Sequence, residues 1–120
     1  MKTNNNSNEN KSGKVLFLRV FKQFFDQIAK GAKTTEYRVM SDYWMRKLVD
    51  VSKYGDISDE QELRTAITKD QNIKWKPWTS ARFFCGDRSI EKKITGIRVY
   101  SGHDWFAIKL EDSRQKRQPS

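Results

Sequence analysis

The stretch "FKQFFDQIAKGAKTTEYRVM", residues 21–40, decides the fold, because it switches period in its middle. Phe21, Phe24, Phe25 and Ile28 recur at helical spacing and predict one apolar stripe. Gly31 then supplies the left-handed residue that commonly ends a helix, with Lys30 suited to the negative end of its dipole. Beyond Gly31 the period becomes two. In a strand, Thr34, Glu36, Arg38 and Met40 share one face, and Thr35, Tyr37 and Val39 share the other. A helix followed at once by a strand, in a short chain, predicts an α+β fold.

Working outward, "VLFLRV" at 15–20 is short and apolar and predicts a buried strand before the helix. "SDYWMRKLV" after the strand predicts a second helix. Ser41 or Asp42 is its N-cap, and Trp44, Leu48 and Met45 face inward. Residues 50–74 predict a helical insertion, with a start signal at Ser58 and Leu63, Ala66 and Ile67 at helical spacing. Pro77 bars a strand from running through "IKWKPW", so the next strand is placed at Ser80–Cys85. "EKKITGIRVY" and "WFAIKLE" give two more, separated by the turn "SGHD". The phase of the first slips between Ile94 and Ile97, as a bulge at Gly96 would produce. In the second, Phe106, Ile108 and Leu110 alternate with Trp105, Ala107 and Lys109. Short turns between the late strands favour antiparallel pairing and a small barrel of about five to six strands flanked by two or three helices; an open α+β sandwich is the alternative.

Composition narrows the partner. The 120 residues are 36% hydrophobic and 32% charged, with a formal net charge of +9. One domain is the natural count. Residues 1–14 and 111–120 are polar and predict disordered tails around a body at 15–110. Of the cations, only Lys2, Lys11, Lys14, Arg114, Lys116 and Arg117 lie in those tails, so the positive excess belongs to the body as well. A basic surface attracts polyanions, nucleic acid first. A single cysteine, Cys85, leaves no intramolecular disulfide, and a single histidine, His103, excludes a zinc finger. A thiol–imidazole dyad from these two is disfavoured, because Cys85 sits in an apolar strand and His103 in a turn. No cofactor and no metal is expected. No run approaches a membrane span, so no membrane partner is expected and the location is taken as cytoplasmic.

Gly31, Lys33, Glu36 and Arg38 form the pattern G-x-K-x-x-E-x-R. With its flanking elements, over roughly residues 15–110, this resembles the signature of the ASCH domain family, a relative of the PUA fold. The resemblance implies a small PUA-like β-barrel and a cleft lined by the motif, suited to RNA or a nucleotide-like ligand. Some relatives are ribonucleases, and a subgroup hydrolyses the acyl amide of a modified cytidine. The chain matches that subgroup at Lys33 but carries Glu36 where the subgroup has its threonine nucleophile.

The site expected from these residues has a polar floor of Lys33, Glu36 and Arg38 behind Gly31. Arg38 offers a planar fork for phosphate or a base edge. Glu36 accepts from an exocyclic amine or acts as a base, and Lys33 reaches an anion; these two are the candidate catalytic pair. Thr34 is the better placed hydroxyl, since Thr35 lies on the opposite face. Tyr43, Trp44 and one of Trp75 or Trp78 form walls on which bases stack, with Lys47, Lys74 and Lys76 interleaved. The competing accounts are plain: Glu36 and Arg38 as a solvated pair, Lys33 as a turn lysine, and the tryptophans as core. Three functions are therefore in play: an RNA- or nucleotide-binding module, a hydrolase on the same residues, and a protein-interaction module.

Overall fold

Apolar runs punctuated by Gly31, Pro77 and Gly86 divide the described residues into five strands and three α-helices. The structure is a computed structural model that describes residues 13–100 and 104–112. In chain order the elements are β1 (Lys14–Arg19), α1 (Lys22–Lys30), β2 (Thr35–Val39), α2 (Asp42–Leu48), a 3-10 turn (Val51–Tyr54), α3 (Glu60–Lys69), β3 (Trp78–Cys85), β4 (Arg88–Tyr100) and β5 (Trp105–Leu110). The strands form one sheet in the order β1-β3-β4-β5-β2. The α+β class and the element counts match expectation. The sheet is mixed, with β1 parallel to β3 and β3 antiparallel to β4, and its order is not closed into a barrel. Turn lengths inform only on neighbours in sequence. They are silent on the β1–β3 pairing, which spans α1, β2, α2 and α3. The tails at 1–12 and 113–120, and His103 of the expected "SGHD" turn, lie outside the described residues.

The chain divides into two compact units. Among the described residues the first comprises 13–36, 77–96 and 109–112, and the second 37–76, 97–100 and 104–108. In the first, Leu16 and Leu18 alternate inward on β1 and are buried with Phe25 and Ile28 of α1 and Ala81 and Phe83 of β3. Each fully buried Leu, Ile or Phe contributes about 1.5–3 kcal/mol. The outward Phe17 stacks on Phe84, 5.7 Å between centroids. The stripe expected along α1 is half realised: Phe25 and Ile28 are buried, whereas Phe21 and Phe24 are exposed. Phe21 is the N-cap, with extended backbone, so its ring leaves the helical face. Gly31 ends α1 as expected, with φ 84°, and its N–H donates to the Ile28 carbonyl at 3.1 Å. Gly86 (φ 63°) and Asp87 form the two-residue turn between β3 and β4, the connection a tight antiparallel hairpin requires.

In the second unit the core is Met40, Met45, Leu48, Val49, Leu63, Ile67, Phe106, Ala107 and Ile108. Ser41 is the N-cap of α2; its Oγ accepts from Trp44 N–H. The inward residues of α2 are Met45 and Leu48, and Trp44 is only half-buried, a correction to the expected inward set. The cap of α3 is Asp59 rather than Ser58, its carboxylate accepting from Glu62 N–H at 2.9 Å.

The insertion is closed at its base. Asp50 N–H donates to the Lys74 carbonyl at 2.8 Å, Lys76 N–H donates to Leu48 at 2.9 Å, and Val49 bridges Trp75. Farther out, the Lys53 ammonium (2.8 Å) and the Tyr54 hydroxyl (2.6 Å) both meet the Asp70 carboxylate. Those contacts, with the Lys53 hydrogen bond the strongest influence, hold the Asp70 carboxyl down to about 2, and burial beside Asp70 pushes the Tyr54 phenol up.

Along β4 the exposed positions run Glu91, Lys93, Thr95 and then Arg98, Tyr100, so the phase changes around Gly96 as anticipated. On β5 the expected alternation fails at one position: Ala107 is buried together with Phe106 and Ile108.

Candidate nucleic-acid interface

The structure distributes the expected site residues over both units, and each group has its own surroundings. In the first unit, the Gly31 cap turns the chain so that Lys33 N–H donates to the Gln27 carbonyl at 3.1 Å. The backbone of Lys33 is thereby fixed to the end of α1. Its ammonium donates to the Thr35 carbonyl at 2.7 Å, lies 3.5 Å from the Glu36 carboxylate, and sits 5.5 Å from the centre of the Phe24 ring. Glu36 is 7% exposed. The solvated-turn account of Lys33 therefore fails, and Glu36 is a buried carboxylate with a close cation. Taking both from water is costly, and the cost is offset by their attraction and their hydrogen bonds. Among the described residues no buried side-chain N or O atom lacks a partner. Such a carboxylate is a fixed acceptor, suited to an exocyclic amine. Thr34 is held through its backbone, its carbonyl accepting from Leu110 N–H at 2.8 Å, with a half-buried side chain. Gly31 acts through conformation, as the helix cap.

In the second unit, β2 and α2 build a row of two adjoining rings with a cation at each end. The Arg38 guanidinium lies 5.3 Å from the centre of the Trp44 ring. Trp44 meets Tyr43 edge to face, 5.0 Å between centroids at 87°. The Lys47 ammonium lies 5.9 Å from the Tyr43 ring. Helical geometry explains the last contact, since residues four apart share a face. Tyr43 is 61% exposed. The Ser41 cap starts α2 directly after β2, bringing Trp44 back toward Arg38, six residues earlier. Cation–π contacts of this kind stabilise by about 0.5–1 kcal/mol where exposed. Arg46, on the same helix, is engaged elsewhere, with Asp42 (2.9 Å) and the Ile57 carbonyl (2.8 Å).

Trp75 and Trp78 do not supply an exposed wall; both are half-buried. Trp75 packs edge-on against Phe106 at 5.8 Å in the second unit. Trp78 belongs to the first unit and carries the Lys14 ammonium 5.2 Å from its ring. Pro77 separates them in sequence, and each follows its own unit. The contact of Lys33 with Phe24 was not foreseen, because no sequence period relates positions nine apart across a helix cap. A cavity of about 540 Å³ in the second unit is lined by Arg46, Asp50, Ser52, Gly55, Asp56, Ser58 and Lys76 among others, and by none of the expected site residues. Among the described residues no group of three His, Cys, Asp or Glu side chains could hold a metal ion. Cys85 is a half-buried strand thiol. No helix among the described residues is long and apolar enough to cross a membrane. The chain matches no protein-family model and no curated protein.

Proposed function

We propose that the chain is an RNA- or nucleotide-binding module of the ASCH, PUA-like type. The observation that carries this is the row Arg38–Trp44–Tyr43–Lys47, two adjoining rings flanked by cations on the second unit of a protein with net charge +9. Rings accept bases by stacking, and the flanking cations meet the phosphates between them. Arg38 lies 5.3 Å from the Trp44 ring centre, and its planar fork suits phosphate or a base edge. The G-x-K-x-x-E-x-R resemblance points to the same ligand class. Titration with single-stranded RNA at low and moderate salt tests it. Affinity should fall steeply with salt, and Arg38→Gln and Lys47→Gln should each weaken binding and flatten the salt slope. Binding no tighter than that of an unrelated protein of equal charge would leave a protein-interaction module.

One observation favours hydrolysis as a second reading. Glu36 is buried with Lys33 beside it, whereas a merely solvated pair would face water. A buried carboxylate is a candidate base for activating water. Turnover of single-stranded RNA or acylated cytidine, lost in Lys33→Ala with binding retained, is the test.

A further inference from the structure

Aromatic rings also stand on the strands of the second unit, away from α2. Alternation along β2 places Tyr37 and Val39 on the face opposite Arg38, and both are exposed. On β4, Arg98 and Tyr100 share one face and are exposed. On β5, Trp105 is exposed. In the sheet order β5 lies between β4 and β2. Yet the rings of Tyr37 and Tyr100 meet at 5.4 Å, inclined at 67°. They therefore reach toward each other over the middle strand. Ala107 is the small residue of that strand. Alternation puts it on the same face as Trp105, yet it is 1% exposed.

This face keeps three large rings in water, on neighbouring strands, in a chain whose mean hydropathy is −0.89. Exposed apolar clusters of this kind mark contact surfaces. Charge selects the occupant. At +9 a second copy of the chain is repelled, and a polyanion is attracted. Arg98, two residues before Tyr100, supplies a cation on the same face. We propose that Tyr37, Tyr100 and Trp105 form a stacking platform for the unpaired bases of an RNA strand, with Arg98 on its phosphates. The platform deepens the RNA-binding reading and rests on it for the identity of the polymer. Bases stack on such rings whatever their sequence, so the platform would prefer unpaired strands over duplex and show little sequence preference.

Fluorescence anisotropy with a labelled oligouridylate, alone and annealed to oligoadenylate, tests this on the full chain. Trp105→Leu and Tyr37→Leu retain apolar bulk but remove the ring; each should weaken single-strand binding by about fivefold to a hundredfold. Trp105→Phe, which keeps a ring, should restore most of the affinity. Trp105 is exposed, so the thermal midpoint of Trp105→Leu should stay near wild type, and measurement at matched folded fraction separates binding from folding for Tyr37→Leu, whose ring meets Tyr100. If wild type binds and Arg38→Gln weakens binding while Trp105→Leu and Tyr37→Leu do not, the platform falls and the RNA-binding reading stands. If wild type binds no RNA, both fall. Duplex bound as tightly as single strand, or a wild-type dimer in sedimentation that Trp105→Leu dissolves, would also overturn the platform.

Discussion

Lys33 and Arg38 are cations five residues apart in one motif, yet their surroundings differ in kind. Lys33 turns inward to a carbonyl, a buried carboxylate and the Phe24 ring. Arg38 lies across Trp44, next to the exposed Tyr43. The first cation spends its charge within the protein, where removing one partner leaves the other unpaired. The second lies beside an aromatic ring, a contact that stabilises by about 0.5–1 kcal/mol where exposed. A shared signature thus covers two physical tasks: holding a buried carboxylate, and presenting a charge beside rings.

The largest expected effect breaks the comparison by stability. Glu36→Ala removes the carboxylate beside the half-buried Lys33 ammonium and should cost about 2–3 kcal/mol, more than Arg38→Ala, whose contact with Trp44 contributes about 0.5–1 kcal/mol. Urea unfolding of both variants measures the gap, and equal costs would erase the distinction. Ligand affinity sharpens the comparison from the other side. Trp44→Leu should weaken single-stranded RNA binding about tenfold. Trp75→Leu, whose ring is engaged with Phe106, should leave it unchanged at matched folded fraction.

Next in size is the cap. Gly31 holds φ 84°, so Gly31→Ala should cost about 1 kcal/mol in unfolding free energy, with Gly31→Asn recovering part of it. Lys33 inherits its position from that cap and Arg38 does not, so RNA affinity should change little in either variant.

The smallest effect lies outside the motif, at the closure of the insertion. Asp70 is held down to about 2 from an ordinary value of 3.8. Its contribution is complete above the ordinary value and is lost as pH falls from there through about 2. Stability of wild type and Asp70→Asn should converge over that acid window, followed by thermal midpoint against pH. Neither motif cation contacts Asp70, so RNA affinity at neutral pH should not respond.

What the residues disclosed in advance follows from the range of each signal. Local periods and caps located β1, α1, β2, α2 and β5, and the Gly31 terminus. The slip near Gly96 was visible because strand alternation is strict. Three features escaped because they depend on contacts far apart in sequence. The parallel pairing of β1 with β3 has no local mark. The half-burial of Trp44 follows from α2 turning Met45 and Leu48 to the core instead. The extended backbone at Phe21 removes a ring from a stripe that spacing alone would include. At the site, the alternation of Glu36 and Arg38 against Tyr37 and Val39 was legible. The meeting of Tyr37 with Tyr100 was not, since it needs the strand order.

The central claim is that the ring row beside Arg38 is where nucleic acid lands. The four tryptophans make it directly observable, because each indole N–H gives its own resonance in a proton–nitrogen correlation spectrum. On titration with single-stranded RNA, the Trp44 signal should shift progressively while Trp75, packed on Phe106, stays in place. RNA that binds while the Trp44 signal remains still would contradict the account.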